Sequence, residues 1–135
     1  MKKIEGVAAI ILDGNDKILI NKRTKNCYWE PNVWSLPCGK VEENEDPREA
    51  IIRELKEEFG IDVQIVQKVS ERTYFLKNED ADWIVYGYLC QIKNGNLKIL
   101  EPKLTEEIKF ISINQLPENF FPELKTVIED FQKTS

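Results

Sequence analysis

Glu54, Glu57 and Glu58 stand at positions i, i+3 and i+4 of one charged stretch. On a helix these three side chains project from one face, with neighbouring Cβ atoms about 5–6 Å apart. Like charges this close repel one another unless a cation compensates. Clusters made only of oxygen donors suit hard cations such as Mg²⁺ or Mn²⁺. A divalent ion held by carboxylates and by phosphate oxygens polarises a phosphoryl group and activates water. The chemistry on offer is a metal-assisted attack on a phosphate. The plainer reading is a solvated helix face. Glu49 with Arg53 and Arg53 with Glu57 are i,i+4 pairs, and such charge alternation usually marks exposed helix. Taken alone, the stretch favours the plainer reading.

Composition narrows the alternatives. The 135 residues include no histidine, which removes Ser-His-Asp and Cys-His catalysis and every His-based zinc site. The three cysteines, Cys27, Cys38 and Cys90, are widely spaced. They form neither a disulfide framework nor a CxxC metal motif, and they suit a reducing cytoplasm. A net charge of −5 disfavours a broad groove for extended nucleic acid. It leaves room for a small phosphorylated substrate reached through a metal. No apolar run approaches the roughly 18–20 residues of a membrane span, and the N-terminus has no apolar secretory core. The expectation is a single cytoplasmic domain over residues 1–135 with no membrane partner.

The elements that must position the acids follow from periodicity. Residues 47–59 read as a helix. Asp46 is its cap, Pro47 its first position, Glu49 a capping-box partner and Gly60 its stop. Ile51, Ile52, Leu55 and Phe59 form the apolar stripe beside the acids. Strands are expected at 4–12, 17–20, 62–76, 82–93 and 107–113, and a second helix at 122–132. Residues 21–37 read as a long loop, and such loops are more often functional than idle. Strands on both sides of a helix suggest a mixed sheet between helical layers.

The full run from Gly39 to Ile61, GKVEENEDPREAIIRELKEEFGI, changes the balance. It resembles the Nudix box, Gly-x5-Glu-x7-Arg-Glu-U-x-Glu-Glu-x-Gly-U with U aliphatic. Gly39, Glu45, Arg53, Glu54, Leu55, Glu57, Glu58, Gly60 and Ile61 all fall in register. Its fixed identities would arise by chance at about one starting position in 10⁸. The Trp34–Pro37 lead-in and the Phe110-Ile111 pair are also similar to the family. The resemblance implies a Nudix hydrolase: an α/β/α sandwich around a mixed β-sheet, box at 39–61. It implies hydrolysis of a nucleoside diphosphate linked to some moiety X, with Mg²⁺ or Mn²⁺ as cofactor. Glu54, Glu57 and Glu58 match the metal-binding and catalytic acids, and Arg53 the arginine that orients them. Glu45 matches a structural partner of that network. Gly39 and Gly60 match backbone roles. Cys38 stands where many members have glycine and where the family uses a backbone carbonyl as a metal ligand. Any residue supplies a carbonyl, provided the position does not need φ > 0. A homodimer is one option that no residue here decides.

The substrate is less legible. Arg23 and Lys40 are the candidate phosphate contacts. Tyr28, Trp29 and Trp34, in the loop before the box, are candidates to stack on a base. Trp83, Tyr86 and Tyr88 read as strand core. Glu106 and Glu107 are candidates for a general base outside the box. The family's oxidised-guanine sanitising members carry an asparagine where this chain aligns Leu124, with Asn119 nearby. By elimination the favoured activity is a (d)NTP pyrophosphohydrolase releasing a monophosphate and pyrophosphate. RNA 5′-pyrophosphate removal and a non-catalytic nucleotide sensor are the alternatives.

Overall fold

A computed structural model describes residues 2–27 and 30–134. Among the described residues, two sheets and two α-helices make up the fold, with two short 3-10 turns besides. β1 (Lys2–Ile11), β4 (Cys38–Lys40), β5 (Asp62–Leu76) and β6 (Ala81–Asn94) form a four-stranded sheet in the order β4-β1-β6-β5. β1 runs parallel to β6, and the other two pairings are antiparallel, so the sheet is mixed. β2 (Ile18–Arg23), β3 (Trp34–Ser35) and β7 (Thr105–Ile111) form an antiparallel sheet in the order β3-β2-β7. The helices are α1 (Pro47–Phe59) and α2 (Pro122–Thr134).

Alternation along β1 sorts the core into two layers. Ile4, Ala8 and Ile10 join Trp83, Val85 and the α2 residues Leu124, Val127 and Ile128. Val7, Ala9 and Ile11 face the other way, onto Ile51, Leu55 and Phe59 of α1. A strand sends successive side chains to opposite faces, so one strand serves both helices. The expected α/β/α sandwich is the fold observed. The helix expected at 47–59 occupies those residues, and the C-terminal helix runs two residues beyond its expected end.

Two expectations need correction. Residues 21–37 are not one loop: 21–23 complete β2 and Trp34–Ser35 pair with it as β3. Ile52 is not part of the α1 stripe. It is 37% exposed, and Ala50 is buried in its place. One residue turns a helix by about 100°, which carries position 52 off the face that Ile51 and Leu55 share.

Candidate active site

The acids sit on α1, and both ends of that helix are fixed. At its start the Asp46 side chain accepts the Arg48 N–H at 2.8 Å. At its end Gly60 adopts φ 70°, a left-handed conformation that favours glycine, and its N–H donates to the Lys56 carbonyl. A loop then closes over the last turn. Lys98 N–H donates to the Phe59 carbonyl at 3.1 Å and Leu100 N–H to the Glu58 carbonyl at 2.9 Å.

Arg53 organises the face. Its Nε and Nη2 donate to the two oxygens of Glu45 at 2.8 and 3.0 Å, a bidentate pair. Nη2 also donates to the Lys40 carbonyl at 3.0 Å, tying α1 to β4. Nη1 donates to Glu54 at 2.9 Å and to Glu57 at 3.4 Å. The guanidinium holds the Glu45 carboxyl below the usual carboxylate range. β4 supplies the facing wall. A Cβ placed on Gly39 would lie 2.2 Å from Cδ of Glu54, so the Glu54 carboxyl lies flush on bare backbone.

Glu58 is the most perturbed acid. Burial, then the charges of Glu54 and Glu101, push its carboxyl up to about 8. Burial also raises Glu54, against the opposing effect of Arg53. Glu101 went unnoticed in the sequence. It follows the loop residues bonded to the end of α1, and its charge reaches both Glu54 and Glu58. No motif spacing marks it; only the loop closure places it there. Glu106 lies on β7 instead, 4.0 Å from Lys22, and Glu107 is exposed opposite Lys22 in the β2–β7 register.

Beside the acids lies a cleft of about 400 Å³ lined by Arg23, Cys38, Gly39, Lys40 and Glu58 among others. Arg23 reaches it from the end of β2. Its Nε donates to the Glu30 carbonyl at 3.2 Å, its Nη1 contacts the Cys38 sulfur at 3.4 Å, and the guanidinium lies 5.8 Å from the Phe121 ring centroid. Cys38 pairs with Ala8 in the sheet and is not among the positive-φ residues, so its backbone is ordinary for an L-residue. Burial raises its thiol, a poor starting point for a thiolate. Trp34 is not brought to the cleft. It is buried in the α2-side core, with the Lys109 ammonium 4.4 Å from its ring centroid. Tyr28 and Trp29 lie outside the described residues.

The donor set suits a hard divalent cation. The three box carboxylates offer oxygen donors only, and half-buried Glu58 stands among like charges that a cation would offset. Among the described residues no three acids or thiols converge tightly enough to enclose an ion. Arg53 instead bonds Glu54 and Glu57 to itself.

A mixed sheet between two helices, with an arginine-organised carboxylate face on one of them, defines a small Nudix-type domain. The sequence matches the NUDIX domain over residues 2–131, and the chain belongs to that family. It is similar to a Caenorhabditis elegans protein named as a nudix hydrolase, 32% identical over 116 residues, covering 83% of this chain and 30% of that protein. It is also similar to the 8-oxo-dGTP diphosphatase of Proteus vulgaris, 40% identical over 62 residues, covering 46% of this chain and 54% of that protein. The chain thus spans only about a third and about half of these relatives' lengths. Among solved structures, the MutT NUDIX hydrolase from Burkholderia pseudomallei superposes with a TM-score of 0.85 at 25% identity, covering 96% of this chain and 98% of that one.

Proposed function

We propose that the chain acts as a single-domain, Mg²⁺-dependent pyrophosphohydrolase in the cytoplasm. It cleaves a nucleoside diphosphate linked to X, with a (d)NTP hydrolysed to monophosphate and pyrophosphate as the favoured case. One observation carries this reading: a half-buried, charge-crowded Glu58 lines the same cleft as Arg23 and Lys40. Family membership and the diphosphatase name of the Proteus vulgaris relative support it.

Glu54, Glu57 and Glu58 are the residues to hold the cation, with the Cys38 carbonyl as a further ligand. Bound there, a divalent ion supplies charge neutralisation for the diphosphate and Lewis acidity toward a phosphoryl oxygen and water. Arg53 sets the acids' directions, because its guanidinium is itself fixed by Glu45 and the Lys40 carbonyl. Arg23 and Lys40 face the phosphates and stabilise charge developing on the leaving group. Glu101, whose charge acts on both Glu54 and Glu58, is a general-base candidate outside the box. The acidic surface, net −5, disfavours a long RNA substrate.

A release assay tests the reading. Nucleoside triphosphates, nucleotide sugars, ADP-ribose and 5′-triphosphorylated RNA are incubated with Mg²⁺ while pyrophosphate and phosphate are followed. The expected result is pyrophosphate from triphosphates, lowered at least about 100-fold by Glu57→Gln. Tight nucleotide binding without turnover across the panel would favour a sensor.

A further inference from the structure

We propose that the Thr24 hydroxyl is a positioning group for the reaction: it fixes one end of the turn that carries Glu101, whose other end is bonded to α1. This deepens the proposed function and rests on its use of Glu101 as a base outside the box. Glu101 is half-buried and lies on a loop, where a side chain wanders unless the backbone on both sides is held. On the N-terminal side the hold comes from α1. Leu100 N–H donates to the Glu58 carbonyl at 2.9 Å and Lys98 N–H to the Phe59 carbonyl at 3.1 Å. The Glu101 charge then acts on both Glu54 and Glu58.

The C-terminal side is held from the end of β2. The Leu104 and Thr105 N–H groups both donate to the Glu101 carbonyl at 3.0 Å, closing a tight turn. Thr24 grips the far residues of that turn. Its hydroxyl donates to the Lys103 carbonyl, and its N–H donates to the Leu104 carbonyl at 3.1 Å. Asn26 Nδ2 adds a longer bond to the same Lys103 carbonyl at 3.3 Å, and the Cys27 thiol donates to the Leu104 carbonyl at 3.3 Å. Thr24 is only 9% exposed, so water does not readily replace a lost hydroxyl there.

The same tie meets the wall of the cleft. Arg23 precedes Thr24, and the β2–β7 register shifts between Lys22 and Arg23, so that Arg23 pairs with Thr105. Bulges of this kind re-aim side chains beside active sites. Arg23, Cys27 and Leu104 line the cleft together with Glu58. Thr24 therefore joins the segment that carries the phosphate-facing arginine to the turn that carries the carboxylate. The backbone bond to Leu104 comes with any residue at 24. The hydroxyl bond does not, so a substitution removes it alone.

The test uses the full chain with Mg²⁺ and the nucleotide it turns over fastest. Thr24→Val keeps the shape and removes the hydroxyl. Its kcat is expected to fall about 10- to 100-fold, the scale of a displacement near 1 Å, with KM unchanged. Thr24→Ser keeps the hydroxyl and is expected to recover most of that loss. Glu101→Gln lowers kcat by itself, and adding Thr24→Val to it is expected to cost nothing further, because both act through one carboxylate. If circular dichroism shows Thr24→Val unfolded, Asn26→Ala removes the exposed second donor to the Lys103 carbonyl. Its expected loss is about 2- to 10-fold, the worth of one hydrogen bond, and it too vanishes beside Glu101→Gln. Equal losses with and without Glu101→Gln mean a structural role for Thr24 and overturn the inference. Wild-type kcat in Thr24→Val or in Glu101→Gln overturns it as well. With an active wild type, those results leave the hydrolase reading standing; a wild type that turns over no nucleotide removes that reading and the inference together.

Discussion

Gly39 lacks a side chain where Glu54 needs the room. A methyl group there would lie 2.2 Å from the Glu54 carboxyl carbon, and β4 cannot retreat because Val7 pairs with Gly39 in the sheet. Gly39→Ala must therefore move the carboxylate. Displacements of about 1 Å cost on the order of 100-fold in rate. The expected outcome is a drop of that size in kcat/KM, with circular dichroism showing a folded protein; wild-type kinetics would refute the placement of Glu54 in the reaction. The same scale shows what a sequence can and cannot convey. The partners of Arg53 lie in one segment of regular spacing, so Glu45, Glu54 and Glu57 could be read from the box. Trp34 could not be placed, since an aromatic next to a strand serves core and cleft equally well. Glu101 could not be found at all. Its position depends on hydrogen bonds from residues 98 and 100 to the carbonyls ending α1.

At the level of elements, local pattern was a good guide where the element is long. α1 carries its own cap, stop and apolar stripe, and its limits were legible to the residue. β3 and β4 were not, because two or three residues hold no periodicity and pair only through distant partners. The division of strands between two sheets was equally hidden, since it is decided by long-range register. The docking of α2 on β5 gives a prediction at this scale. Asp130 on α2 accepts Arg72 Nε and Nη2 at 2.9 and 2.7 Å and the Ser70 hydroxyl at 2.6 Å. The Arg72 hydrogen bonds hold its carboxyl down at about 2. A depressed carboxylate stabilises the fold above its unfolded value near 3.8 and loses that contribution as pH falls toward 2. Solvent screening leaves roughly 1 kcal/mol at stake. Urea melts at pH 6 and pH 2 should show Asp130→Asn losing stability mainly at the higher pH. An equal loss at both would mean that the ion pair does not hold the helix.

For the whole molecule, the proposed cation site sets stability against binding. Half-burying Glu58 near the charges of Glu54 and Glu101 concentrates like charge at the edge of the cleft. Such a group destabilises the folded chain, and active sites commonly carry this cost. Removing its charge with Glu58→Gln should raise Tm in the absence of divalent ions. The wild type should gain instead from Mg²⁺, because a ligand that binds only the folded state adds RT ln(1 + [L]/Kd). That amounts to about 1.4 kcal/mol at tenfold excess over Kd, or a few degrees in Tm for a domain of this size. The two effects act on the same carboxylate, so they should cancel in one variant: Glu58→Gln starts higher and responds less. Thermal melts of both proteins across a Mg²⁺ titration, with Ca²⁺ and monovalent salt at matched ionic strength, read this directly. If the variant begins no higher and climbs as steeply as the wild type, the cation is held elsewhere, and Glu58 is a packing residue alone.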